Sequence, residues 1–200
     1  MTVVPVIRSV SRWTRVLALT ALMPVPGVAA QTLNPGPPGP FVFDFRGATS
    51  SVPTSEAFAP DTITTATIPS RGFGGSIGAH LYPFQIGPAR VGIGVDVLFV
   101  RGTTVDVTTT FSSVDPQVSA NFGTEDGWSY LSVGYGATGV SVDPVGVSES
   151  MPSFNWGGGA RWFLNRHFGV GFDVRVHHVA AGEVAPKDTG VSLTVGVSLK

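Results

Sequence analysis

The feature that most constrains this chain is an alternation of period two near its C-terminus. Phe168, Val170, Phe172, Val174 and Val176 interleave with Gly169, Gly171, Asp173, Arg175 and His177. Val191, Leu193, Val195, Val197 and Leu199 then interleave with Ser192, Thr194, Gly196, Ser198 and Lys200. Successive side chains of a β-strand point to opposite faces, so each segment presents one apolar face and one polar or small one. A helix would scatter both sets around its circumference. The pattern opens at Phe41, where Phe41, Phe43 and Phe45 alternate with Val42, Asp44 and Arg46. It recurs over Phe73 to Tyr82 and Val91 to Val100, and in shorter form over Gln117 to Phe122, Trp128 to Ala137 and Phe154 to Phe163.

The connections alternate in length. Short ones fall at Phe84 to Ala89, at Gly123 to Asp126 and at Asn165 to His167, and longer ones at 51–69, 102–115, 139–152 and 181–188. Membrane barrels with an even strand number alternate short periplasmic turns with longer external loops, and both termini then lie on the periplasmic side. The spacing therefore predicts an all-β fold over 41–200: an antiparallel up-and-down transmembrane β-barrel of eight strands.

Composition agrees with that reading. Charged residues make up 12% of the chain and 26 of 200 residues are glycine, which suits closely spaced strands and leaves too few charges for a soluble exterior. Mean hydropathy is positive at +0.28, yet after Met23 there is no uninterrupted apolar run long enough for a membrane helix. The hydrophobicity is spread along the chain, as it is when each strand meets lipid with every second residue. A formal net charge of −1 offers no basic stripe for phosphates, so nucleic acid is not an expected partner. With no cysteine, disulfides and thiolate metal sites are excluded.

The N-terminus predicts export. Arg8, Arg12 and Arg15 precede an apolar run from Val16 to Met23, then a Pro/Gly break and Val28-Ala29-Ala30. This is the layout of a cleaved signal peptide over 1–30, its apolar run being well short of the roughly 20 residues a spanning helix needs. Residues 31–40, QTLNPGPPGP, are expected to be a Pro/Gly-rich flexible lead-in without function.

The stretches PQVSANFGTEDGWSYLSVGYG, NWGGGARWFLNRHFGVGFDVRVHH and VSLTVGVSLK resemble the small bacterial outer-membrane β-barrel proteins, the group that includes the outer membrane protein A transmembrane domain and its eight-stranded relatives. The resemblance implies a location in the cell outer membrane, outer-membrane lipid and the barrel-assembly machinery as partners, and no reaction. Such barrels usually end in an aromatic residue read by that machinery, whereas this chain ends Leu199-Lys200.

If the apolar faces meet lipid, the polar faces converge inside, where an eight-stranded barrel has little room beyond its side chains. Asp44, Arg46, His80, Asp96, Arg161, Asp173, Arg175 and His177 are then expected to form a structural polar network, with Ser76, Gln117, Ser119, Asn121 and Lys200 beside them, since buried charges must pair. A hairpin centred on Asn165 to His167 sets Arg161 diagonal to Asp173, and barrel closure brings Asp44 toward Lys200. Tyr82, Trp128, Tyr130, Trp162 and Phe168 lie beside the short turns and are expected to form an interfacial aromatic girdle. Packing of aromatics across hairpins is the plainer account of the same cluster, and the faces of Trp128 and Tyr130 are ambiguous.

Chemistry is thinly represented. His177 and His178 with Ser192 on the next strand are the only candidates for a nucleophile and base resembling those of lipid-modifying barrel enzymes, but no G-x-S-x-G elbow occurs and no acid is placed to orient either ring. Adjacent histidines on a strand point to opposite faces and cannot easily share a metal ion. Gly157 to Gly159 lacks the Lys-Ser/Thr and helix of a phosphate loop. No catalytic residue, cofactor or metal is expected. The expected role is structural or surface-interacting, with an external ligand met by the loops. The alternatives are a narrow channel for ions or small solutes and a soluble lipocalin-like carrier, which would put Asp44, Arg46, Asp173 and Arg175 in water.

Overall fold

In the computed structural model, residues 41–52, 68–124, 127–143 and 145–200 are described. The expected signal peptide and lead-in, most of the 51–69 connection, Glu125 and Asp126 of the second short turn, and Pro144 lie outside them.

Eight strands follow one another: β1 (Phe41–Ser51), β2 (Arg71–Ile86), β3 (Ala89–Thr103), β4 (Thr108–Thr124), β5 (Gly127–Asp143), β6 (Val147–Phe163), β7 (Phe168–Val179) and β8 (Asp188–Leu199). Each pairs with the next, and β1 pairs with β8 from Phe43 opposite Leu199 to Ser50 opposite Ser192, so the sheet closes and has no edge through this zone. All pairs are antiparallel, which is the architecture the alternating connections predict.

Faces divide as period two requires. On β1, Phe41, Phe43 and Phe45 are exposed while Val42, Asp44 and Arg46 are buried. The outer wall continues with Ile77, Ile93, Val97, Val118, Leu131, Val133, Trp156, Leu193 and Val195. A belt of this extent far exceeds the apolar patches soluble monomers carry and matches a lipid-facing band. Asp44, Arg46, Asp173 and Arg175 are in the lumen, the reverse of the lipocalin-like orientation.

Strands β4, β5 and β6 have 17 residues each, against 11 in β1 and 12 in β7 and β8. At about 3.4 Å per residue and a tilt near 40°, 17 residues rise roughly 44 Å, well beyond an apolar band about 25 Å tall. Most of what the sequence assigned to loops 102–115 and 139–152 is therefore strand, with connections only at 104–107 and 144–146. Above the lipid the apolar residues change face. On β5, Leu131, Val133 and Tyr135 point outward, whereas Val140 and Val142 are buried within. This change of phase hides the extended strands from a search for uninterrupted alternation.

Two prolines sit where the ladder tolerates them. Pro83 lies in the bulge between Leu81 and Phe84, and the β4–β5 register skips from Val114 opposite Ala137 to Gln117 opposite Gly134 around Pro116. At the short-turn end, Gly87 takes φ 58° between β2 and β3. Asn165 Oδ1 accepts the N–H groups of His167 and Phe168 at 2.9 and 2.8 Å, fixing the β6–β7 turn.

The aromatic girdle needs correction. Trp162 is exposed and Phe168 partly so, Trp162 lying 5.9 Å from the Phe172 ring on the outer wall. Tyr82, Trp128 and Tyr130 are instead buried inside. Trp128 and Tyr130 share the parity of Ser132, opposite to lipid-facing Leu131 and Val133, and Tyr82 shares that of His80, so closure turns all three inward.

Candidate functional site: the filled lumen

Every strand sends polar side chains into the middle of the barrel. Asp44 of β1 is the focus. Arg161 of β6 donates to it from Nε at 3.0 Å and Nη2 at 2.5 Å, Arg46 Nη2 stands at 2.8 Å, His80 Nε2 at 3.2 Å, and Ser198 donates at 2.6 Å. A carboxylate removed from water is stable only with such a set of donors. Arg46 Nη1 also donates to the Tyr130 hydroxyl at 3.0 Å, which in turn donates to Asp173 Oδ2 at 2.8 Å. The Arg161 guanidinium lies 4.1 Å from the Tyr130 ring centre.

A second cluster surrounds Arg175 of β7. Its Nη2 is 3.0 Å from Asp96 Oδ2 and its Nε 3.4 Å from Asp173 Oδ1. It donates to Gln117 Oε1 at 2.7 Å, Asn155 Oδ1 at 3.2 Å and Ser132 Oγ at 3.2 Å. Gln117 Nε2 donates onward to Asp96. Tyr130 and Asp173 join the two clusters, so one connected network ties β1 to β8 across the lumen. Glycines make room for it: a Cβ on Gly78 would strike the Asp96 carboxylate and His80, and one on Gly94 would strike the His80 ring.

Of the eight residues expected in the network, Asp44, Arg46, His80, Asp96, Arg161, Asp173 and Arg175 are brought together. His177 borders the same cavity as Asp96 and Arg175 but is not bonded to them; it stands 3.0 Å from Ser192 Oγ and edge-on to Phe111. Two expected pairings differ. Arg161 does sit diagonal to Asp173, since Gly171 is its direct partner, yet its side chain reaches across to Asp44, and Asp173 takes Arg175 and Tyr130. Asp44 stands opposite Ser198, not Lys200. The Lys200 ammonium lies over Phe163 and Trp128, at 4.1 and 5.5 Å from the ring centres.

Tyr130, expected in the aromatic girdle, is instead the bridge of the network, and Asp115, within the expected 102–115 loop, is a member that the alternation does not reveal. Asp115 is buried, accepts from Ser113 Oγ at 2.6 Å, and stands directly opposite Asp96. Its inward face follows from parity, since Asp115 lies in step with Gln117, Ser119 and Asn121 on β4. A cavity of about 20 Å³ bordered by Asp96, Asp115 and Arg175 has room for one water.

Apolar layers close the lumen on both sides of this network. Toward the long loops, Leu98, Val100, Phe111, Val140, Val142, Met151 and Val179 pack together, with Val52, Ile68, Val107 and Ala185 added from the connections. Toward the short turns, Val42, Tyr82, Trp128 and Phe163 form a second cluster, Trp128 and Phe163 having ring centres 4.8 Å apart. The 180–187 connection is held over the mouth by Glu149 of β6, whose carboxylate accepts the N–H groups of Val184 at 2.6 Å and Ala185 at 2.9 Å.

The histidines point to opposite sides of the wall. His177 and Ser192 are buried beside the small cavity that Asp96, Asp115 and Arg175 border, and His177 Nδ1 has no hydrogen-bond partner among the described residues, so no carboxylate there orients the ring. On the outer wall, Trp156 Nε1 donates to His178 Nε2 at 3.2 Å, and Phe154 stacks on the ring. A neutral His178 therefore carries its proton on Nδ1 and donates it to Thr189 Oγ1, 3.1 Å away. That tautomer cannot take a proton from the hydroxyl.

A protein family described as outer membrane protein beta-barrel domain matches residues 16–200. No curated protein matches the sequence. Among solved structures, neisserial surface protein A is similar at 16% identity, over 81% of this chain and 97% of that one, with a TM-score of 0.60. Ail, the attachment invasion locus protein of Yersinia pestis, is similar at 14% identity over 80% of this chain and 96% of that one, with a TM-score of 0.50. Ail in complex with the heparin analogue sucrose octasulfate gives 13% identity over the same shares, with a TM-score of 0.51.

Proposed function

Since this chain belongs to the outer membrane protein β-barrel domain family and so resides in the cell outer membrane, we propose that it is a sealed, non-enzymatic barrel whose role is structural and surface-interacting. The observation that carries this reading is the filling of the lumen: an apolar layer, the Asp44 to Arg175 network and an aromatic layer lie in series. Ions crossing such a stack would have to break paired charges and then pass two layers made mostly of apolar and aromatic side chains.

Binding is left to the outside. The upper parts of β4, β5 and β6 and the connections between strands carry Ser, Thr and Asp outward, at Thr108, Thr110, Ser141, Asp143, Ser148 and Ser150, and an external ligand would meet them there. Insertion by the barrel-assembly machinery belongs to the same proposal. The absence of an orienting acid at His177, and the tautomer imposed on His178 by Trp156, weigh against hydrolysis of lipid.

The test is conductance of the refolded protein in a planar bilayer, beside its heat-modifiable migration on gels. Folded protein that leaves the bilayer at its lipid baseline supports the sealed barrel. Steady single-channel steps would overturn it in favour of a narrow channel.

A further inference from the structure

The outer wall of β2 and β3 changes character at one height. Phe73 and Phe99 are 72% and 52% exposed in the lipid-facing band, and the next outward residues toward the loops are Arg71 and Arg101. Phe73 stands opposite Arg101, so Arg71 lies diagonal to Arg101 on the same outward face, about 7 to 8 Å away by strand geometry. Both arginines are exposed, and neither has an ion pair or hydrogen bond among the described residues. Of the described acids of this end, Asp106 in the β3–β4 connection, Asp143 opposite Thr108, Glu149, Glu183 and Asp188, none pairs with either. Hydroxyls flank the pair in register: Ser51 opposite Arg71 and Thr110 opposite Arg101.

Two like charges side by side repel, and an anion from outside the chain relieves that repulsion. Lipid surrounds the wall immediately below, and the charged groups at this height belong to headgroups. Guanidinium groups present paired donors that match phosphate oxygens. We propose that Arg71 and Arg101, with Ser51 and Thr110 beside them, form a site on the outer wall for the phosphate of an outer-leaflet lipid headgroup. The site fixes the barrel's height in the membrane at its loop end and marks the β2–β3 wall as the side where a phosphorylated lipid is held.

The experiment titrates phosphatidic acid, a phosphomonoester lipid, into the refolded protein in zwitterionic detergent and follows binding by phosphorus-31 NMR. The expected result is saturable binding that R71Q/R101Q weakens at least about tenfold, that Arg166→Gln at the short-turn end leaves unchanged, and that inorganic phosphate competes with only weakly. Unchanged affinity in R71Q/R101Q, or an equal loss in Arg166→Gln, would overturn the site, as would free phosphate binding as tightly as the lipid. If the glutamine pair does not fold, R71K/R101K replaces it: weaker binding supports the guanidinium site and wild-type affinity overturns it. The inference rests on the membrane reading, whose failure would show separately as a chain that stays soluble and monodisperse without detergent.

Discussion

Arg161 and Asp44, 117 residues apart in the chain, meet across the lumen through two donated hydrogen bonds, from Nε at 3.0 Å and Nη2 at 2.5 Å. The first strand is thereby tied to the sixth through the interior as well as to its neighbours through the ladder. Both side chains are almost wholly buried, so removing one strands the other without water.

Asp44→Ala is expected to lower stability by about 3 to 5 kcal/mol, the range for breaking a buried pair, and Arg161→Met by a similar amount. The double variant is expected to lose less than the sum, because neither charge is left alone. Urea unfolding in lipid vesicles, read by the gel-mobility shift, checks this. Additive losses would show that the two residues do not act as a pair.

Tyr130→Phe keeps the ring beneath Arg161 and removes only the hydroxyl that joins Arg46 to Asp173. A loss of about 1 to 3 kcal/mol is expected from the buried groups left unsatisfied. Stability equal to wild type in the same urea titration would show that the two clusters stand independently.

Glu149→Ala withdraws both acceptors that hold Val184 and Ala185. The 180–187 connection should loosen while the barrel stays folded, since the ladder from Ser153 opposite Val179 downward is untouched. Trypsin cleavage at exposed Lys187 of the vesicle-embedded protein is the measurement. An acceleration of about tenfold is expected from the loss of two charge-assisted bonds. An unchanged rate would mean that Ala185, packed in the apolar layer, holds the connection alone.

The barrel itself was legible because its determinants are local. Alternation at Phe41 to Arg46, Phe168 to His177 and Val191 to Lys200 states which residues share a face without reference to any other strand. The network's members could be named for the same reason, their parity being opposite to that of lipid-facing neighbours. Asp115 is not legible in the same way, because Ser and Thr dominate its surroundings and the apolar set changes face just above it.

By itself, then, the sequence determined the strand set, its alternating faces and the sharing of one polar face by Asp44 and Arg46 on the first strand and by Asp173 and Arg175 on the seventh, since two faces per strand is a property of the extended backbone. Only the tertiary structure decided that this polar face, with Tyr82, Trp128 and Tyr130 on it, turns inward, that Asp44 takes Arg161 in place of Lys200, and that two largely apolar layers cap the network. Those outcomes depend on strand register and on the closure of β1 against β8. Closure brings residues more than a hundred positions apart within bonding distance, and no local pattern carries that information.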